Sequence, residues 1–252
     1  MLGVYLSGTG NTKHCIEKLT YLIDEKAVVL PLENENIIDS IKNCETIILG
    51  YPTQFSNVPI MVRDFIKSND IWKDKKVLCV TTMGAFSGDG AGCAARLLKK
   101  KGAVILGGLH IHMPDSVCDS KLLKKSLEEN KKIIISADEK IEKIAYEIKN
   151  GKYPREGINF FSHMLGLFGQ RLWFYRKTSS YSDKLKISDG CIGCGLCSKI
   201  CPMKNISMCN GKAVASNQCT MCYRCISQCP QRAITFIGDT VQEQCQFSKY
   251  VT

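Results

Sequence analysis

The chain has 252 residues, 44 % of them apolar and 23 % charged, with a formal net charge of +10 and fifteen cysteines. That length holds one large domain or two ordinary ones, and the composition is that of a folded globular protein rather than a disordered one. No stretch reaches the ~18–20 consecutive apolar residues of a bilayer-spanning helix, and Met1-Leu2-Gly3-Val4-Tyr5-Leu6-Ser7-Gly8 has neither the basic head nor the apolar length of a secretion signal. Fifteen cysteines outside a short secreted framework are therefore expected in a reducing cytoplasm, where they ligate metal or do redox chemistry.

Residues 1–150 alternate short apolar runs with amphipathic stretches. Strands are predicted at Leu2–Leu6, Ala27–Leu30, Thr46–Leu49, Lys76–Thr81 and Ala103–His110. Helices are predicted at Thr12–Asp24, Ile37–Asn43, Pro59–Lys67, Gly92–Lys100 and Asp138–Asn150, the last stopped by Gly151 and Pro154. Nearly continuous apolar strands are buried on both faces, which implies a parallel sheet covered by helices. Five such units make a doubly wound α/β domain over residues 1–151. Directly after the first strand, Ser7-Gly8-Thr9-Gly10-Asn11-Thr12 opens a helix. Small hydroxyls, two glycines and the free N–H groups of a helix N-terminus suit an anion such as a phosphate. The loop is not a P-loop, and Lys13 stands where a dinucleotide fingerprint needs its third glycine. Two further loops follow strands three and four, at Tyr51–Pro59 and Thr82–Gly88.

Residues 152–186 read as a helical linker. Phe161, Leu165, Phe168, Leu172 and Tyr175 fall on one stripe, followed by Arg171, Arg176 and Lys177. An inter-domain helix accounts for this pattern better than a membrane-surface helix.

Residues 187–252 carry one cysteine motif twice. It is Cys191-x2-Cys194-x2-Cys197-x3-Cys201-Pro202 and then Cys219-x2-Cys222-x2-Cys225-x3-Cys229-Pro230. A tight loop with two-residue spacing presents three thiolates to one cubane cluster, and the fourth must come from elsewhere. A zinc ribbon pairs two C-x2–4-C units and needs no third cysteine two residues on. The segment resembles the bacterial two-[4Fe–4S] ferredoxin module over about residues 187–238, including Ile192-Gly193, Asn205-Ile206 and Gln231-Arg232-Ala233-Ile234. The resemblance implies a small α+β ferredoxin-like domain with exchanged ligands: Cys191, Cys194, Cys197 and Cys229 for one cluster, and Cys219, Cys222, Cys225 and Cys201 for the other.

The first loop, in turn, is similar to that of flavodoxin, which reads Ser/Thr-x-Thr-Gly-x-Thr. That likeness implies a flavodoxin-like fold with FMN, its phosphate held by Ser7, Gly8, Thr9, Gly10, Asn11 and Thr12. The ring would lie among Pro52, Thr53, Gln54, Phe55 and Asn57 and Thr82, Met83, Gly84 and Phe86, with Phe55 and Phe86 as the aromatic contacts. Together the halves resemble flavodoxin–ferredoxin fusion proteins over nearly the whole chain.

The charge fits this account. Two cubanes at about −2 each and a flavin phosphate at roughly −2 would bring the loaded protein to about +4, so nucleic acid is not needed to explain the basic excess. Of the seven remaining cysteines, Cys15, Cys44 and Cys79 read as small buried hydrophobes, and Cys209 and Cys245 as neighbours of the clusters. Cys93 and Cys118 match no metal spacing. His14, His110, His112 and His163 are scattered, and His110-x-His112 is a weak metal signal.

The functional expectation is a cytoplasmic electron carrier, of the kind expected in an anaerobe, relaying electrons between clusters, FMN and redox partner proteins. Transfer within one chain and transfer across a homodimer both stay open. A flavin-dependent reductase, with Asp89 and Tyr51 as its polar candidates, and a redox or oxygen sensor are the alternatives.

Overall fold

The computed structural model describes residues 1–159, 164 and 184–251. The helical stripe foreseen across 161–175, its basic followers and His163 lie outside them, save Met164.

Five parallel strands form the first module: β1 (Leu2–Tyr5), β2 (Val28–Pro31), β3 (Thr46–Pro52), β4 (Lys76–Met83) and β5 (Val104–His112). Their spatial order is β2-β1-β3-β4-β5; the alternating pattern predicts a doubly wound parallel sheet, and the resemblance of the first loop implies this flavodoxin-like form of it. Helices α1 (Asn11–Ile23), α2 (Ile37–Lys42), α3 (Ile60–Ser68), α4 (Gly90–Lys100) and α5 (Leu127–Lys149) cover both faces. One core layer joins the sheet to Val62, Ile66, Ala94 and Leu98 of α3 and α4. The other joins it to Cys15, Ile16 and Leu19 of α1 and Ile134, Ile141 and Ala145 of α5. Close packing of α1 requires Gly50, because a Cβ there would stand 2.2 Å from the Ile16 side chain.

The strands match their expected positions, with β3 and β4 running a few residues further. Helix α5 differs, starting eleven residues before the predicted Asp138. Ser126 caps it, accepting from the Glu129 N–H at 3.2 Å, while the Glu129 carboxylate accepts from the Ser126 N–H at 2.8 Å. This reciprocal box is worth about 1 kcal/mol and fixes the start. Among the described residues no helix is long and apolar enough to cross a membrane.

The second module is small. Two antiparallel ladders, β6 (Lys186–Ile187) with β9 (Ile234–Thr235) and β7 (Ile206–Cys209) with β8 (Lys212–Ala215), frame two five-residue helices, α6 (Leu196–Ile200) and α7 (Arg224–Gln228). Its core holds Ile206, Tyr223, Ile226, Ile234, Phe236 and Val241, with Val117 and Cys118 of the first module packed against it. The chain then returns. Phe247 donates its N–H to the Thr9 carbonyl at 2.8 Å and stacks on His14, and Tyr250 enters the core layer beneath α1 and α5.

Candidate functional site

Where β1, β3, β4 and β5 end, their loops enclose about 830 Å³ of space, part of it open to solvent. Parallel strands put all their carboxyl ends on one edge, and the order reverses at β1, so neighbouring loops diverge and leave a crevice. Ser7, Gly8, Thr9, Asn11, Thr12, Pro52, Thr53, Gln54, Phe55, Thr82, Met83 and Gly84 line it, all of them expected there. The first loop is held by its own hydroxyls. Thr12 pairs with Thr82 at 2.8 Å, Thr9 pairs with Ser116 at 3.1 Å, and Ser7 Oγ accepts from the Gly10 N–H at 3.2 Å. Among the described residues no acceptor is found for the N–H groups of Thr9, Asn11 and Thr12 at the head of α1. Unmet donors at a helix start are suited to an anion. Asn11 also keeps its buried Oδ1 unpartnered, while its amide donates to Pro114 O at 2.7 Å.

Three expected residues stand elsewhere. Gly10, at φ +99°, forms the cap of α1 and faces Phe247, which a Cβ would approach to 2.9 Å. Asn57 closes a turn with Gln54 and caps the Val58 N–H at 2.9 Å. Phe86 is 48 % exposed, because its neighbour Ser87 takes the inward place, bonded to Thr53 at 3.0 Å and Thr81 at 3.3 Å. Asp89 and Tyr51 are likewise outside the cavity. Asp89 is fully buried in an ion pair with Arg96 at 2.6 Å, and Tyr51 donates to Gly90 O at 2.8 Å. His110 and His112 have separate partners, the Ala91 N–H and the Gly84 carbonyl. Among the described residues no three His, Cys, Asp or Glu side chains converge on a site for a single metal ion.

The loop after β5, which no motif announced, supplies Met113, Pro114, Asp115, Ser116 and Val117 to the cavity wall. Burial raises the Asp115 carboxyl above its ordinary value, against the opposing pull of the Val117 N–H and Lys125.

The eight motif cysteines fall into two groups. Cys191, Cys194, Cys197 and Cys229 line one cavity of about 360 Å³, and Cys201, Cys219, Cys222 and Cys225 line another of about 380 Å³. Each group takes three thiols from one run and the fourth from the other. Backbone N–H groups point at the sulfurs: Asn205 at Cys201 (3.3 Å), Met221 at Cys219 (3.4 Å) and Ala233 at Cys229 (3.4 Å). Neighbouring N–H groups hold the Cys191 thiol below its ordinary value. Burial raises Cys197, Cys222 and Cys225 and pushes Cys219 up to about 11, with the Arg224 guanidinium opposing it at Cys222. Four softly donating sulfurs around an apolar hollow, with amides aimed at them, are the donor set of an iron–sulfur cluster.

The second group abuts the crevice of the first module. Met221, Cys222 and Tyr223 line both hollows. The contact is close enough that a Cβ at Gly8 would stand 1.6 Å from the Cys222 carbonyl oxygen. Gln54 donates to the carbonyls of Thr220 (2.7 Å) and Met221 (3.2 Å). Arg224 donates to Ser7 O (2.8 Å) and Ile200 O (3.2 Å) and pairs with Glu33. Buried Asp119 accepts the N–H groups of Phe236, Ile237 and Gly238 at 2.6, 2.9 and 3.1 Å and the Tyr223 hydroxyl at 3.1 Å.

Residues 184–230 match the family described as the 4Fe-4S dicluster domain. Solved structures similar to the first module include the two-electron reduced flavodoxin of Megasphaera elsdenii (24 % identity, 49 % of this chain and 95 % of that one, TM-score 0.41). Flavodoxin 2 of Bacillus cereus is another (20 %, 60 % and 97 %, 0.44), as is a Fusobacterium nucleatum flavodoxin bound to flavin mononucleotide (18 %, 60 % and 98 %, 0.41). The strand order, rather than these scores, carries the fold assignment. No curated protein matches the sequence.

Proposed function

We propose that this fusion of a flavodoxin-like sheet with a 4Fe–4S dicluster segment is an electron-transfer iron–sulfur flavoprotein, relaying electrons between two [4Fe–4S] clusters, FMN and redox partner proteins. Cys191, Cys194, Cys197 and Cys229 would hold one cluster, and Cys219, Cys222, Cys225 and Cys201 the other. The N–H groups of Thr9, Asn11 and Thr12 and the hydroxyl of Ser7 would hold the FMN phosphate, and the loops Pro52–Phe55 and Thr82–Gly84 its ring. When bound, the clusters would pass single electrons and the flavin would collect one or two.

The observation that carries this reading is Cys222: one residue lines both the second sulfur-lined hollow and the crevice. Transfer between them then needs no second copy of the chain. Arg224 keeps the two hollows in register by gripping Ser7 O from the helix that carries Cys225. Met221 and Tyr223 line both hollows beside Cys222. Asp115, whose carboxyl burial raises above its ordinary value, lies in the crevice wall. The modules would divide at 1–151 and 187–252 around the linker 152–186, in a cytoplasmic protein whose basic excess offsets cofactor charge. A substrate-reducing enzyme gains no support, since Asp89 and Tyr51 are engaged away from the crevice.

Iron, inorganic sulfide and flavin analysis of anaerobically purified protein tests the proposal. About eight irons and one FMN per chain are expected from two cubanes and one flavin site. Colourless protein, or protein carrying zinc in place of iron and sulfide, would overturn it.

A further inference from the structure

Two cysteines outside the motif runs meet at the seam between the modules. Cys118 follows β5, and Cys245 lies on the returning tail, yet their thiols hydrogen-bond each other. Ser227 Oγ stands 3.9 Å from the Cys118 sulfur, and the Tyr250 hydroxyl reaches Cys245. Both cysteines are half-buried and open onto a hollow of about 430 Å³ that Lys124 and Lys125 also line. Lys124 pairs with Glu243 at 3.1 Å beside it.

Other cysteines outside the motif runs behave differently. Burial pushes Cys79 up to about 12, where it is packed as a small apolar group, and Cys93 up to about 11, its sulfur facing Arg96, Asp89 and the Ser56 carbonyl rather than a second thiol. At Cys118 the hydrogen bond from Cys245 outweighs burial and lowers the thiol below its ordinary value, while Cys245, the donor, is held protonated. The thiolate is the attacking form, and the cysteine that accepts the hydrogen bond is the one whose thiolate is favoured.

We propose that Cys118 and Cys245 form a dithiol–disulfide site that accepts a low-molecular-mass disulfide, with Cys118 attacking and Cys245 resolving. The Cys118 thiolate attacks one sulfur of R–S–S–R. A Cys118–S–S–R bond forms, the S–S bond of the small disulfide breaks, and its other half leaves as R–S⁻ and takes up a proton. Cys245 then loses its proton and attacks the Cys118 sulfur, the mixed disulfide breaks, and the second R–S⁻ leaves and is protonated. Two protein thiols are oxidised and one small disulfide is reduced to two thiols. The new bond ties the loop after β5 to the tail, where Gln244 holds the carbonyls of Ile226 (3.2 Å) and Cys229 (2.7 Å). The site depends on neither FMN nor the clusters, so it stands or falls apart from the proposed relay.

The test treats the full-length, anaerobically purified protein with hydroxyethyl disulfide, alkylates free thiols and maps peptides by mass spectrometry, with the visible absorbance recorded alongside. A Cys118–Cys245 cross-link should accumulate while that absorbance is unchanged. In Cys245→Ser the reaction should stop at a mixed disulfide on Cys118, whereas in Cys118→Ser modification of Cys245 should be at least tenfold slower. Absence of the cross-link in the unsubstituted protein, or equal adduct formation at the two cysteines in the paired variants, would overturn the proposal.

Discussion

The two copies of the cysteine motif share one backbone and differ in what that backbone carries. In the first copy the positions two and four residues after the leading cysteine are Gly193 and Gly195, at φ +70° and +72°. In the second they are Met221 and Tyr223, at φ +55° and +60°. Glycine adopts this left-handed region freely, but a side chain there costs roughly 1–2 kcal/mol. The second copy bears that cost at two residues that line both its hollow and the crevice of the flavodoxin-like module. Surroundings diverge in the same sense: Cys194 and its neighbour Ile192 face solvent, whereas burial raises Cys219, Cys222 and Cys225. The difference teaches a direction. In the proposed relay the first set would exchange electrons with partner proteins, and the second with the crevice.

Replacing one cysteine in each copy gives the largest effect. Cys222→Ser should slow reduction of the bound flavin by a cluster-specific donor about a hundredfold or more, ~2.7 kcal/mol in barrier. Cys194→Ser should slow entry from the donor but leave exchange between the second site and the flavin intact. Rapid-mixing absorbance separates the two, and equal effects would erase the distinction between the copies.

Asp119 holds the turn after β9 and Tyr223 against the first module. Asp119→Ala leaves the buried Phe236 N–H and Tyr223 hydroxyl, and two part-buried N–H groups, without their acceptor and should lower stability by about 2–4 kcal/mol in denaturant unfolding. A loss below ~0.5 kcal/mol would mean that the seam does not depend on it. Met221→Gly should change stability by less than ~1 kcal/mol, because relief of the left-handed backbone offsets lost packing. The same substitution should weaken FMN binding several-fold in a fluorescence titration, whereas Gly193→Ala, strained and facing Gly211 O, should lower stability without touching FMN affinity.

The smallest effect is expected at His110, on the edge strand away from both copies. Burial lowers its pKa from 6.5, Glu156 opposing and Lys140 assisting, and its Nε2 accepts the Ala91 N–H at 3.4 Å. Below 6.5 the unfolded chain binds a proton that the folded one resists, so this contribution is full above pH 6.5 and is lost as pH falls. The stability difference between the unsubstituted protein and His110→Gln should therefore shrink on acidification from pH 7.5 to 5.5. A difference that stays flat would contradict that reading.

Much of this was legible in the residues. Continuous apolar runs announced the parallel sheet, because burial on both faces leaves a one-dimensional trace. The spacing Cys-x2-Cys-x2-Cys announced the sulfur-lined loops, because local geometry fixes it. Ser126-x-x-Glu129 also announced the true start of α5, but the β-branched run Ile133–Ile135 hid the helical period behind it. Asp115, Asp119 and the Cys118–Cys245 pair left no such trace. Asp119 and the cysteine pair act through partners far away in the chain that only the docking of the modules brings near, whereas Asp115 owes its setting to burial within the first module. Phe86 shows the converse: the right residue type in the right loop still faces solvent, because Ser87 has the inward hydrogen bonds.

The most direct test of the relay through Cys222 is the dependence of flavin reduction on protein concentration after the clusters have been reduced in a rapid-mixing experiment. The account predicts a first-order step whose rate is the same over a hundredfold range of concentration, with cluster and flavin absorbance changing together. A rate proportional to protein concentration, or a flavin signal that changes independently of the clusters, would contradict it.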